Sequence, residues 1–135
     1  MKTKFTALAL LLAFLVALVS CGSTKDPWES AIYTADTEFG TGAKTVEVTV
    51  VVNEHSVKFT LKTDKETLAD ALVEHNLIAG EEGAYGLYVK TVNGILADYD
   101  KDMSWWGFYK DGEATLGASA TIISDGETYE IVYSK

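Results

Sequence analysis

Val46, Val48, Val50 and Val52 alternate with Thr45, Glu47 and Thr49. That period of two fits a strand with one buried face and does not fit a helix. Asn53-Glu54 form a tight turn, after which Val57, Phe59 and Leu61 alternate with Ser56, Lys58, Thr60 and Lys62. The stretch is therefore read as a β-hairpin with one wet face.

The period then changes. Thr63 and Glu66 have capping-box spacing ahead of an apolar run, and Leu68, Ala71, Leu72 and His75 fall on one helical stripe. Gly80, just after Leu77-Ile78, is expected to stop this helix. Strands return with Leu87 to Val92, and Asn93-Gly94 is the strongest short hairpin signal in the chain, with Ile95 to Ala97 as the return. Ser104 to Lys110 read as another strand closed by Asp111-Gly112, and Tyr129, Ile131 and Tyr133 as the last, after the turn Asp125-Gly126. One helix between strands predicts an α+β domain with a β-grasp-like layout, a mixed or antiparallel sheet wrapped on a single helix.

Ahead of this domain, Lys2 and Lys4 precede an unbroken apolar run from Phe5 to Val19, the layout of a secretory signal. The run is short for a membrane span, which needs about 20 residues. It ends on Leu18-Val19-Ser20-Cys21, which resembles the bacterial lipoprotein signal box. That resemblance implies cleavage before Cys21, a diacylglycerol thioether on its sulfur, and a protein held by lipid on the extracytoplasmic face of the cell membrane. Acyl chains anchor at about 0.8 kcal/mol per buried methylene, so two or three hold stably. Residues 1–20 are accordingly read as signal peptide, 21–43 as lipidated tether and N-terminal arm, and 44–135 as the folded domain. Gly22 to Pro27 are small and polar, whereas Trp28, Ile32, Tyr33 and Phe39 are too apolar for pure linker. Ala31 to Thr34 are expected to dock on the domain, with a turn at Gly40-Thr41-Gly42; a tether disordered up to Lys44 is the alternative.

Cleavage leaves 115 of the 135 residues, enough for one small domain. The eleven lysines fall to nine once Lys2 and Lys4 leave, and against 20 Asp plus Glu the net charge is -11, with no arginine. Such a surface repels phosphate backbones, so nucleic acid is not an expected partner. Cys21 is the only cysteine, so its acylation would leave no thiol for a disulfide, a metal or nucleophilic chemistry.

The run from Thr45 to Lys135 contains Gly86-Leu87-Tyr88-Val89-Lys90-Thr91-Val92-Asn93-Gly94, Ala97-Asp98-Tyr99, Trp105 to Gly112 and Asp125 to Glu130. In these stretches it resembles a family of bacterial extracytoplasmic domains named for similarity to the C-terminal β domain of transcobalamin. In transcobalamin-like proteins that domain closes over one side of cobalamin while a separate helical domain holds the other. The resemblance thus points to a corrinoid ligand, although this chain has no room for the helical partner.

Period two places Trp106 and Phe108 on one face and Trp105 and Tyr109 on the other. One pair can fill the core. The other then forms a flat platform for a planar ligand, a sugar ring or a partner, unless Trp28 or another part of the arm covers it. Tyr88, Asn93 and Tyr99 complete the candidate ligand-binding set with Trp105 and Tyr109. Asp98, Asp100 and Asp102 have the spacing that opens a calcium loop, but Met103 stands where its glycine belongs and Tyr109 where its glutamate belongs. A solvated acidic loop is the simpler reading. His55 and His75 have no ligand partner at close spacing, and no nucleophile elbow or phosphate-cradling loop is present. The sequence therefore reads as a non-enzyme. It is either a ligand-binding module that could pass its cargo to a membrane transporter, or an interaction or adhesion module engaging another cell-envelope protein through a sheet edge and aromatic patch.

Overall fold

The computed structural model of the chain describes residues 25–135. The signal segment, Cys21 and the lipid reading lie outside the described residues. The valine alternation becomes strand β2 (Lys44–Val52), paired antiparallel through the Asn53-Glu54 turn with β3 (His55–Thr63). Val46, Val48, Val50 and Val52 face Val57, Phe59 and Leu61 in the core, all essentially without solvent contact. Each such side chain contributes about 1.5–3 kcal/mol by leaving water.

Helix α1 (Leu68–Val73) buries Leu68, Ala69, Ala71 and Leu72 in the same core. Its cap corrects the sequence reading. Thr63 stays in β3 opposite Lys44, and Thr67 is the cap, its hydroxyl accepting from Asp70 N–H at 3.2 Å. The helix is capped at Glu74, and in the turn that follows Asn76, at φ 56°, redirects the chain so that Leu77 N–H reaches Leu72 C=O. Gly80 is no helix stop. It lies in strand β4 (Ile78–Gly83), which pairs with β5 (Gly86–Val92) across a register shift at Ala79/Gly80. Asn93 and Gly94, both at positive φ, turn β5 into β6 (Ile95–Leu96), completing a three-stranded antiparallel sheet.

The chain then makes the short helix α2 (Tyr99–Asp102) and strands β7 (Trp105–Lys110), β8 (Glu113–Ala114) and β9 (Thr128–Ser134). These three strands join β1 (Thr37–Phe39), β2 and β3 in a six-stranded sheet in the order β1-β3-β2-β9-β7-β8. It is mixed, because β1 lies parallel to β3 and β9 parallel to β2. The chain is thus α+β, with two sheets and a helix around one core. Burial pushes the Tyr129 hydroxyl up to about 12, with its hydrogen bond to Glu127 adding to the effect. Burial alone would raise Glu127, but Lys110, the Ser124 N–H and Tyr129 together hold it below the usual carboxylate range.

The N-terminal arm adds to the domain rather than running beside it. Asp26 caps a 3-10 turn at Pro27–Ser30 through Trp28 N–H, and its other oxygen lies 3.0 Å from His55 Nε2. The Trp28 ring stacks on His55 with 5.1 Å between centroids. Tyr33, Phe39 and Phe59 meet edge to face, which holds β1 against β3. A three-residue strand paired parallel to a distant partner leaves no periodic signal, and for that reason β1 is absent from the sequence reading.

Candidate functional site

Strand β7 splits its aromatics between the two sides of the main sheet. Trp106 and Phe108 stand opposite Tyr133 and Ile131 on the core side. Trp106 is buried, and its indole N–H donates to Lys90 C=O at 3.1 Å, tying β7 to β5. Trp105 and Tyr109 take the outer side with Gly107 between them. A Cβ on Gly107 would sit 2.7 Å from Tyr109 Cε2 and 3.0 Å from Trp105 Cζ3, so the missing side chain is what lets both rings close over the strand. Trp105 keeps 42% of its surface exposed, while Trp28 is engaged with His55 on β3.

Two adjoining hollows follow β7. One, of about 200 Å³, lies between β5 and β7, with Leu87, Tyr88, Val89 and Ala118 in its wall. The other, of about 260 Å³, runs between β7 and the 114–117 segment, with Tyr109 and Leu116 in its wall. Trp105, Trp106, Phe108 and Gly117 line both, which makes the pair one two-lobed groove. The lining is mostly apolar, and its only side-chain polar groups are the hydroxyls of Tyr88, Tyr109 and Thr115 and the tryptophan N–H groups. A larger hollow of about 370 Å³ sits where the stem crosses the hairpin tip, between Lys25, Asp26, Pro27 and Asn53, Glu54, His55. Its walls are two charged loops, without the apolar lining that ligand sites share, so the smaller aromatic groove is the better candidate.

Of the five residues singled out from sequence, the fold brings Trp105, Tyr109 and Tyr88 together around this groove. Tyr99 is exposed on α2 and lines neither hollow. Asn93 is a correction. It is fully buried, and its side chain both accepts from Tyr33 N–H and donates to Tyr33 C=O, each at 2.9 Å, so it clasps the arm and offers nothing to a ligand. Leu87, Leu116, Gly117 and Ala118 were missed. The last three lie in a segment without strand or helix period, so no sequence signal marks them.

The acidic loop is built as a cap. Asp98 Oδ1 accepts from Asp100 N–H at 3.1 Å, and Asp102 accepts from both the N–H and the hydroxyl of Ser104. Those Ser104 hydrogen bonds hold the Asp102 carboxyl below its usual range. Among the described residues no group of three or more His, Cys, Asp or Glu side chains could hold a metal ion. Calorimetric titration with calcium is therefore expected to show no binding heat; a saturable heat lost in Asp100→Asn would contradict this.

Against solved structures, the chain is similar to a candidate metal-binding protein from Ruminococcus gnavus at 34% identity, over 69% of this chain and 98% of that one, with a TM-score of 0.63. The chain belongs to that protein's family. It is also similar to haptocorrin, solved in complex with Cbi, at 20% identity and a TM-score of 0.59, over 72% of this chain and 26% of that one. At that identity the likeness is one of fold, and it spans about a quarter of haptocorrin's length. It supports the resemblance to a transcobalamin-like C-terminal domain. No protein-family model matches the chain, and no curated protein matches it.

Proposed function

We propose that this chain is an extracytoplasmic lipoprotein, anchored through Cys21, that acts as a non-catalytic ligand-binding module. Its groove along β7 takes one face of a planar, largely apolar ligand, with a corrinoid the first candidate. The observation that carries this reading is Trp105, half-exposed and lining one hollow with Tyr88 and the adjoining one with Tyr109. Rings held flat over Gly107 supply stacking area at little cost in ordering. The groove wall contains no carboxylate, imidazole or amine for proton transfer, which favours binding over catalysis. Each lobe is smaller than the roughly 300–1,000 Å³ that encloses a drug-sized ligand, so a corrinoid would be covered on one side only. Haptocorrin's complex with Cbi and the shared fold support the corrinoid class. The packing of α1 against the main sheet supports a β-grasp domain.

The test is a titration of the soluble domain, from Gly22 onward, with cobalamin and cobinamide while Trp fluorescence is followed. Saturable quenching is expected, and Trp105→Ala should weaken it about tenfold, or about 1.4 kcal/mol, without unfolding the domain. No response at tens of micromolar ligand would sink the corrinoid reading in favour of a protein-interaction module.

A further inference from the structure

The large exposed apolar side chains are not spread evenly over the domain. Strand β9 runs parallel to β2 with Val132 beside Val51, which carries Ser134 to the level of the Asn53-Glu54 turn. Trp105 stands opposite Ser134, and Met103 and Tyr99 lie just before it, so all three occupy that same end. The β5–β6 turn meets the arm there too: Ile32 N–H donates to Asn93 C=O, and a Cβ on Gly94 would fall 2.7 Å from the Ile32 side chain. Ile32, Leu96, Tyr99, Met103 and Trp105 are all exposed. The stem leaves from this end, pinned by Asp26 to His55, the first residue past the hairpin turn.

Cys21 precedes Asp26 by five residues, which span at most about 18 Å. A lipid on Cys21 therefore keeps this end near the bilayer and leaves Tyr85, in the β4–β5 turn, and Ile122, bridged to Thr67 ahead of α1, on other parts of the surface. Met103 adds an independent sign. It is 64% exposed and has a φ of 61°, a left-handed conformation that glycine or asparagine adopts readily and methionine does not. Backbone strain retained at an exposed apolar residue points to use of that side chain.

We propose that this rim is a membrane-docking surface, in which Ile32, Leu96, Tyr99, Met103 and Trp105 enter the headgroup layer of the bilayer that holds the lipid. Tryptophan and tyrosine favour that layer, where the ring is buried and the polar tip stays wet. A tether this short holds the rim at high effective concentration, so a few shallow side chains suffice. Asp98, Asp100 and Asp102, in and before α2, outnumber Lys101 and the Lys135 that lies 3.6 Å from Asp102, so the rim repels anionic headgroups and fits neutral lipid. Docking here would seat the Trp105 end of the groove at the membrane.

The proposal rests on the lipid-anchor part of the function proposed above, and the test separates the two. The processed full-length protein is placed in phosphatidylcholine vesicles, with the mass of its N-terminal peptide and flotation read first. Brominated lipids should then quench tryptophan emission, and Trp105→Phe should remove most of that quenching although Trp28 and Trp106 remain. Met103→Asn should keep or raise the melting temperature yet reduce the quenching. Adding phosphatidylserine should weaken it, and salt should restore it. An unlipidated Cys21 peptide overturns the anchor and the docking together. A lipidated, floating protein whose quenching is absent or indifferent to both substitutions overturns docking alone and leaves the rim to a protein partner.

Discussion

Asn93→Ala is expected to lower the unfolding free energy by about 3 kcal/mol and to loosen the N-terminal arm. Three contributions lead to that figure. The two hydrogen bonds to Tyr33 are lost, leaving a partly buried N–H and C=O unpaired at roughly 1 kcal/mol each. Residue 93 also sits at φ 51° in the β5–β6 turn, where alanine costs about a further 1–2 kcal/mol that asparagine largely avoids. Asn93→Gly separates these effects, because it keeps the turn and loses only the clasp, for about 2 kcal/mol. Urea unfolding measures both variants, and limited proteolysis between Trp28 and Phe39 reports release of the arm. An alanine variant within 1 kcal/mol of the parent would show that Tyr33, Phe39 and Phe59 hold the arm without Asn93.

Asn93 also shows where reading the chain as a sequence stops. The Asn-Gly turn is local chemistry and was legible, as were the β2–β3 hairpin, β7 and β9, because period two and turn residues are properties of short windows. The clasp on Tyr33 joins residues 60 apart, and nothing near Asn93 announces it. A polar side chain beside aromatics looks like a ligand contact until burial is known. The same limit hides the parallel pairing of β2 with β9 and of β1 with β3. Strand β4 was lost for a different reason. Ile78-Ala79-Gly80-Glu81-Glu82-Gly83 has neither alternation nor β-branched bulk after its first residue, so its strand form comes from pairing with β5 rather than from its own preference. In the candidate groove, period two correctly set Trp105 and Tyr109 apart from Trp106 and Phe108. The opposite wall comes from tertiary approach, which sequence spacing does not encode.

Gly80→Ala is expected to cost on the order of 3 kcal/mol and to abolish the response of the groove to ligand, although residue 80 does not itself line it. A Cβ built there would lie 1.8 Å from the Tyr88 carbonyl oxygen and 3.0 Å from Val89 Cα. Both are backbone atoms of the neighbouring strand, so no side-chain rotation relieves the clash and β4 and β5 must part. Tyr88 and Val89 form one wall of the hollow that Trp105 and Trp106 close from the other side. Lys90 C=O, two residues beyond Tyr88, accepts the Trp106 indole N–H that ties the two walls together. Strain entering at Gly80 therefore reaches the groove along β5. Gly83→Ala is the control in the same strand, since its Cβ would meet only the Gly86 carbonyl oxygen at 3.5 Å, an ordinary contact. Thermal unfolding and the Trp fluorescence titration should separate the two variants, with Gly83→Ala behaving as the parent. Equal behaviour would mean that the β4–β5 bulge yields and that the groove wall does not depend on the close approach at Gly80.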